Sequence, residues 1–284
     1  MNLAVALQAQ GDLRGALAAY ERALELQPED ALTFAYRASA HWLAKDVEAG
    51  LADCARALEL DPRCAAAYKN RALLLRLQGS NEESLRAARR AAELDPTDPE
   101  AWNNLAIALW ETGRHSECLP VFDRLVQMAP THAPFRVNRA IMRQRLGDLA
   151  GSLAEYGEAL RLDPTDPSVW SGRSWTRFTK GDTTGALADV ARALELDPER
   201  AEAWGNQAHY RNALGDPDTA WRDLQRAIEL DPELAGPYLT RGRIQVARGR
   251  REAAIRDLER YLELDPDSEL ADDAREELAA LKGR

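Results

Sequence analysis

The chain has 284 residues, 30% of them charged, a formal net charge of −10 and only 6% aromatics. Its wealth of Ala, Leu, Glu and Arg implies a soluble, all-helical protein, and its acidity argues against a general affinity for nucleic-acid phosphates, which needs a basic surface. No apolar run approaches the roughly 18 residues of a membrane span. The opening MNLAVALQAQGD lacks the basic start and cleavage site of an export signal. Cys54, Cys64 and Cys118 form an odd set without metal-ligand spacing, so a cytoplasmic protein with free thiols is expected.

In chain order the sequence repeats itself. LELDP stands at 58–62, 194–198 and 262–266, with LELQP, AELDP, LRLDP and IELDP as variants, and Pro28, Pro62, Pro96, Pro130, Pro164, Pro198, Pro232 and Pro266 each lie 34 residues apart. Seventeen residues before each proline stands a glycine, Gly11 through Gly249, with Lys45 the one departure. Small residues lie 24 residues before (Ala4, Ala38, Ala72, Ala106, Ala140, Ser174, Ala208, Gly242) and 12 before (Ala16, Gly50, Ser84, Cys118, Ser152, Ala186, Ala220, Ala254). The glycine can adopt positive φ and end a leading helix. Asp12, Asp46, Asp148, Asp182 or Asp216 can start the next one, and the proline ends that trailing helix. Small residues on both helices let each pair cross closely. Eight hairpins are predicted over residues 1–266, the first without its opening residues, which suggests a piece of a longer protein. In the fourth, Pro120 falls inside the trailing helix, where it either sits near the first turn at little cost, the preferred reading, or loosens the hairpin into a hinge. Residues 267–284, DSELADDAREELAALKGR, read as one polar terminal helix capping the array.

This pattern resembles the tetratricopeptide repeat family over nearly the whole chain. The family's large residue early in the leading helix is matched by Phe34, Tyr68, Trp102, Trp170, Trp204 and Tyr238, and its later aromatic by Tyr20, Phe122 and Tyr156. The resemblance implies an all-α, right-handed superhelical solenoid whose leading helices line a concave wall that binds peptides or proteins. One family specialisation, a basic clamp for a C-terminal carboxylate, is not carried over: Lys69 is followed by Leu73, and the later repeat offers Pro134 and Asn138.

Twenty-five residues before each proline, the leading helices carry Leu3, Arg37, Arg71, Leu105, Arg139, Arg173, Gln207 and Arg241 on the core side. Sixteen residues further on stand Ala19, Asp53, Ala87, Val121, Glu155, Asp189, Asp223 and Asp257. Charge and apolarity change together in most rows, so structural ion pairs are expected. Arg71 with Ala87 and Gln207 with Asp223 break the rule.

The opposite face of the leading helices has no packing duty of its own. It carries Asn2, Tyr36, Asn70, Asn104, Asn138, Gly172, Asn206 and Thr240 in one row, and Val5, Leu73, Ile107, Trp175, His209 and Arg243 among the residues three further on. Trp42, Trp110, Phe178 and Asn212 lie nearby, in place of a uniformly polar surface. Amides offer the donors and acceptor that a peptide backbone needs. With leading helices about 9 Å apart and an extended chain advancing about 3.3 Å per residue, one amide would serve roughly every third residue. Such asparagine ladders occur in superhelical members of the family. The aliphatic residues have an equally good reading as packing between neighbouring leading helices. Lys69, Arg76, Arg145 and Arg243 are set against Glu100, Glu111 and Glu202, which leaves the partner's charge open.

No P-loop, dinucleotide fingerprint, nucleophile elbow or zinc signature is present in the sequence. Cys118 occupies a small core position beside His115, so metal or nucleophile chemistry is not expected there. His41 and His132 read as structural or incidental, His209 as the histidine facing the groove. The expected function is a non-enzymatic scaffold binding an extended peptide or a partner protein, without cofactor, metal, nucleic acid or membrane. The alternatives are a regulatory or substrate-recruiting arm of a larger enzyme and a self-assembling homo-oligomer.

Overall fold

The computed structural model describes residues 2–283, and among them every regular element is a helix. Helix packing divides the chain into two compact units that meet between Met142 and Arg143 in sequence. The first holds α1 (Asn2–Ala9), α2 (Leu13–Leu26), α3 (Ala31–Leu43), α4 (Val47–Leu60), α5 (Ala65–Leu77), α6 (Asn81–Leu94), α7 (Pro99–Glu111), α8 (His115–Met128) and most of α9 (Ala133–Arg145). The second holds α10 (Leu149–Leu162), α11 (Pro167–Thr179), α12 (Thr183–Leu196), α13 (Ala201–Ala213), α14 (Pro217–Leu230), α15 (Ala235–Ala247), α16 (Arg251–Leu264) and α17 (Ala271–Lys282). Within each unit successive helices pair as hairpins, odd-numbered helices leading and even-numbered ones trailing, with α9 and α10 falling on either side of the division.

The helix ends follow the local chemistry. Gly11, Gly79, Gly113, Gly147, Gly181, Gly215 and Gly249 all adopt positive φ, and Lys45 is forced to φ 60° in the same turn. Asp12, Asp46, Asp148, Asp182 and Asp216 each accept a hydrogen bond from the backbone N–H three residues on, which caps the trailing helix. The large residue early in the leading helix closes the preceding turn: Trp102, Trp170 and Trp204 donate Nε1–H, and Tyr238 its hydroxyl, to the carbonyls of Pro96, Pro164, Pro198 and Pro232. Pro120 is the sixth residue of α8, past the first turn, and the helix runs through it unbroken.

The small residues of leading and trailing helices are buried against one another. Ser84 Oγ donates to the Ala72 carbonyl at 2.8 Å, and Cys118 Sγ lies 3.7 Å from the Ala106 carbonyl, so the trailing side chain touches the leading backbone. All three cysteines are free and buried. Burial pushes the Cys54 thiol up to about 12 and the Cys118 thiol up to about 11, which makes both inert.

Three of the expected ion pairs form. Arg37, Arg173 and Arg241 each grip Asp53, Asp189 or Asp257 with two bonds, Nε–H at 2.8 Å and Nη2–H at 2.6 Å. Their guanidinium groups also lie over Phe34, Trp170 and Tyr238, one turn earlier. Arg139 donates to Asp123 of the preceding trailing helix at 2.9 Å. Leu3 departs from the core reading, being 66% exposed on α1.

A second donor was missed in the sequence. It stands one turn further along the leading helix, 12 residues before the acid. Arg177 Nη1 lies 3.1 Å from Asp189, Arg211 donates to Asp223 at 2.5 Å and Gln245 donates to Asp257, while His41 holds the same place 3.7 Å from Asp53, beyond hydrogen-bond reach. Where the trailing helix has Ala19, Ala87 or Val121 instead of an acid, this place holds Leu7, Leu75 or Leu109. Both exceptions are thereby explained. Arg71 has no acid to meet and is exposed, while Gln207 is relieved by Arg211. Even so, burial pushes the Asp223 carboxyl up, because a single arginine replaces the usual two-bonded grip.

Two stability outcomes follow. Asp189 is 2% exposed, and its removal strands two arginines. Asp189→Ala should therefore cost about 3 kcal/mol, with Arg173→Ala costing less because Arg177 remains. Arg173→Leu/Arg177→Leu/Asp189→Val should recover most of the loss, as the apolar row Leu105, Leu109 and Val121 does naturally. Denaturant melts in which Asp189→Ala matches wild type would refute the coupling. Lys45→Gly should stabilise by about 0.5–1 kcal/mol, the left-handed penalty of about 1–2 kcal/mol being partly offset by the entropy lost at glycine. An unchanged or lower melting temperature would contradict it.

Candidate peptide-binding surface

In the second unit, leading helices α11, α13 and α15 frame an open cavity of about 460 Å3. Trp175, Asn206, His209 and Asn212 line it together with Leu234, Pro237, Leu239, Arg243 and Leu270. Trp175 is 43% exposed. Behind it stands an aromatic column: the Trp175 and Phe178 ring centroids are 6.1 Å apart, Phe178 and His209 4.8 Å, and Phe178 stacks on the buried Tyr210 at 4.8 Å. The Tyr210 hydroxyl lies 3.1 Å from Ser174 Oγ, which fixes the base of the column. Burial, reinforced by the nearby Arg243 charge, holds His209 below the ordinary histidine range. Arg243 itself is bound to Glu277 of α17 at 2.7 Å. The wall is thus an apolar, neutral surface with amides at its edges.

Two of the first unit's open cavities take in predicted groove residues. One, of about 590 Å3, is lined by Tyr36, Trp42, Lys69, Asn70 and Leu73, with Asp95, Asp98 and Glu100 at its acidic side. The other, of about 610 Å3, brings Trp42 and Leu73 together with Arg76, Asn104, His132 and Phe135. His132, expected to be structural or incidental, sets its ring 4.2 Å from Phe135 in a tilted contact at this cavity.

The amides do not share one role. Asn104 and Asn206 line cavities, whereas Asn70 is 5% exposed and donates to the Ala35 carbonyl of the neighbouring leading helix at 2.8 Å. Asn138 is half-buried on α9, where Arg145 is exposed at the helix end. Gly172 interrupts the amide row for a steric reason, since a Cβ there would lie 2.7 Å from the Tyr156 hydroxyl. Trp110 is half-buried, packed against the core of the first unit with its ring 4.6 Å from His115. Lys69 and Arg76 are engaged too: Lys69 Nζ binds Asp98 at 2.8 Å and Glu100 at 2.7 Å, and Arg76 lies 3.8 Å from Glu111. Leu234, Pro237, Leu270 and Phe135 were not foreseen. A short clue existed for Pro237, a proline in the first turn of a leading helix beside the small Gly205 and Gly236.

Among the described residues, no group of His, Cys, Asp and Glu stands where it could hold a metal ion, and no helix is long and apolar enough to cross a membrane.

Tetratricopeptide repeat models match residues 1–30, 50–99, 70–133, 103–167, 137–201, 172–235 and 235–268. No curated protein matches the chain. Among solved structures, a tetratricopeptide repeat protein from Parabacteroides merdae is similar with a TM-score of 0.73 at 16% identity, over 89% of this chain and 99% of that one. A chain of the APC/C hetero-tetramer Cut9–Hcn1 gives 0.67 at 17% identity, over 95% of this chain and 52% of its own, so this chain spans about half of that relative's length. YrrB, described as a TPR protein with an unusual peptide-binding site, gives 0.61 at 21% identity over 66% of this chain and 97% of its own. At such identities the likeness concerns the fold, but the repeat models cover nearly all of the sequence, and with its phased prolines, positive-φ turns and hairpins the chain belongs to the tetratricopeptide repeat family.

Proposed function

We propose that this chain is a scaffold that binds a partner protein by seating an extended segment of it along the leading helices, with apolar side chains of that segment entering the cavities between successive helices. The observation that carries this reading is the convergence of Trp175, Asn206, His209 and Asn212 on one open, mostly apolar cavity. An exposed tryptophan backed by a rigid aromatic column supplies binding area at little entropic cost. Asn206 and Asn212 beside it offer donors and acceptors to a passing backbone. YrrB, which shares the fold, is described as having a peptide-binding site, and that description supports the same use of the surface here.

Wild type and Trp175→Ala/Asn206→Ala, each immobilised and exposed to native lysate, should differ roughly tenfold in recovery of the partner. Equal recovery from both proteins would defeat this reading. Binding should also weaken as the pH falls below the ordinary histidine range, because protonating His209 sets a second cation beside Arg243 within an apolar cavity. His209→Phe should flatten that profile, and a wild type indifferent to pH would show that the cavity is not where the segment sits.

A further inference from the structure

We propose that the acid-rimmed cavity of the first unit, between α1, α3, α5 and the start of α7, is a receptor for a cationic side chain, lysine or arginine, of the bound segment. This rests on the binding reading above and assigns that segment a charge which the sequence left open. The cavity's wall is aromatic and aliphatic, made by Tyr36, Trp42 and Leu73. Its rim carries three carboxylates, Asp95, Asp98 and Glu100, and among the described residues that line it Lys69 is the one cation. The lining therefore holds two more negative charges than positive ones.

Lys69 shows what the rim selects. Its ammonium sits between Asp98 and Glu100, at 2.8 and 2.7 Å, as a tethered stand-in for a ligand's ammonium. Asp98 is committed to capping α7, but Glu100 remains largely exposed, its side chain 77% accessible and free to turn toward an incoming cation. Asp95 accepts from the backbone N–H and the hydroxyl of Thr97, an arrangement that keeps it ionised. Tyr36 is exposed enough to present its ring to a cation, and aromatic faces favour that contact. The floor is already satisfied internally: Tyr20 donates to Gln8, Gln8 to Ser39, and Ser39 to the Tyr36 carbonyl. The polar groups left to a ligand are thus mainly the rim carboxylates. The second unit's cavity has no such imbalance, since its lining carries one acid, Glu202, and one base, Arg243. The net charge of −10 adds a long-range attraction for basic segments. Lys69 then acts as a competitor that a ligand must displace from Glu100.

The test is selection of phage-displayed random linear peptides on the full chain, on Tyr36→Ala/Glu100→Gln and on Trp175→Ala/Asn206→Ala, each confirmed by its thermal melt to be folded. Wild type should enrich peptides with a recurrent lysine or arginine. A selected peptide should lose roughly tenfold in affinity for Tyr36→Ala/Glu100→Gln, lose as much when its basic residue becomes norleucine, and gain several-fold toward Lys69→Ala. Enriched peptides without a recurrent cation, or cationic peptides indifferent to Tyr36→Ala/Glu100→Gln, would overturn the receptor while leaving segment binding intact. Failure to enrich any peptide on wild type would overturn both.

Discussion

In the hairpins α5–α6 and α7–α8 the trailing helix approaches the leading one so closely that its small side chain reaches the opposite backbone, Ser84 at Ala72 and Cys118 at Ala106. Such a crossing tolerates almost no volume, because cores pack at crystalline density and an added methylene has nowhere to go. It also fixes the phase of everything else. Once the crossing point is set, the residues one turn to either side must meet, and the loops that join the helices must return the chain to the same geometry after each repeat. Positive-φ turns at the glycines and proline-stopped helix ends are the means by which the chain does so.

The buried acids are a consequence of that proximity. A carboxylate such as Asp189, sealed between two helices, requires donors that desolvation does not also strand. The leading helix supplies them from two successive turns, Arg173 and Arg177, and the first is held further by the Trp170 ring. Elsewhere the same space is filled by Leu105, Leu109 and Val121. The alternation between charged and apolar rows shows two solutions to one packing problem, and neither leaves a polar group for a ligand. Arg37, Arg173 and Arg241, which look like binding residues in the sequence, are therefore part of the frame.

The surface left for binding is the complement of this frame. Cavities open between successive leading helices, and their character differs between units: an aromatic, neutral pocket around Trp175 and His209 in one, and an acid-rimmed pocket around Tyr36 and Lys69 in the other. In the second unit, α17 contributes to the surroundings of the pocket, with Glu277 drawing off the charge of Arg243. Identical architecture thus carries distinct chemistry, because the faces that do not pack are free to vary.

The 34-residue spacing, the turn glycines, the capping aspartates and the paired charges are local or nearly local, which is why the hairpins, their boundaries and the grips of Arg37, Arg173 and Arg241 could be read from sequence alone. The donor 12 residues before each acid is equally local, but Leu7, Leu75 and Leu109 look unremarkable until set beside Ala19, Ala87 and Val121, which stand where the acids would be. The fates of the exposed-face residues were not written locally. Asn70 and Asn104 occupy the same register, yet one is consumed by the Ala35 carbonyl and the other lines a cavity; Trp110 and Trp42 likewise share a position, but Trp110 leans on His115 while Trp42 borders open space. Helical periodicity determines which side of a helix a residue occupies, whereas its availability depends on what the neighbouring helix places against it. Only the tertiary structure decides that, because side chains at equal register meet partners of different size and polarity across the gap.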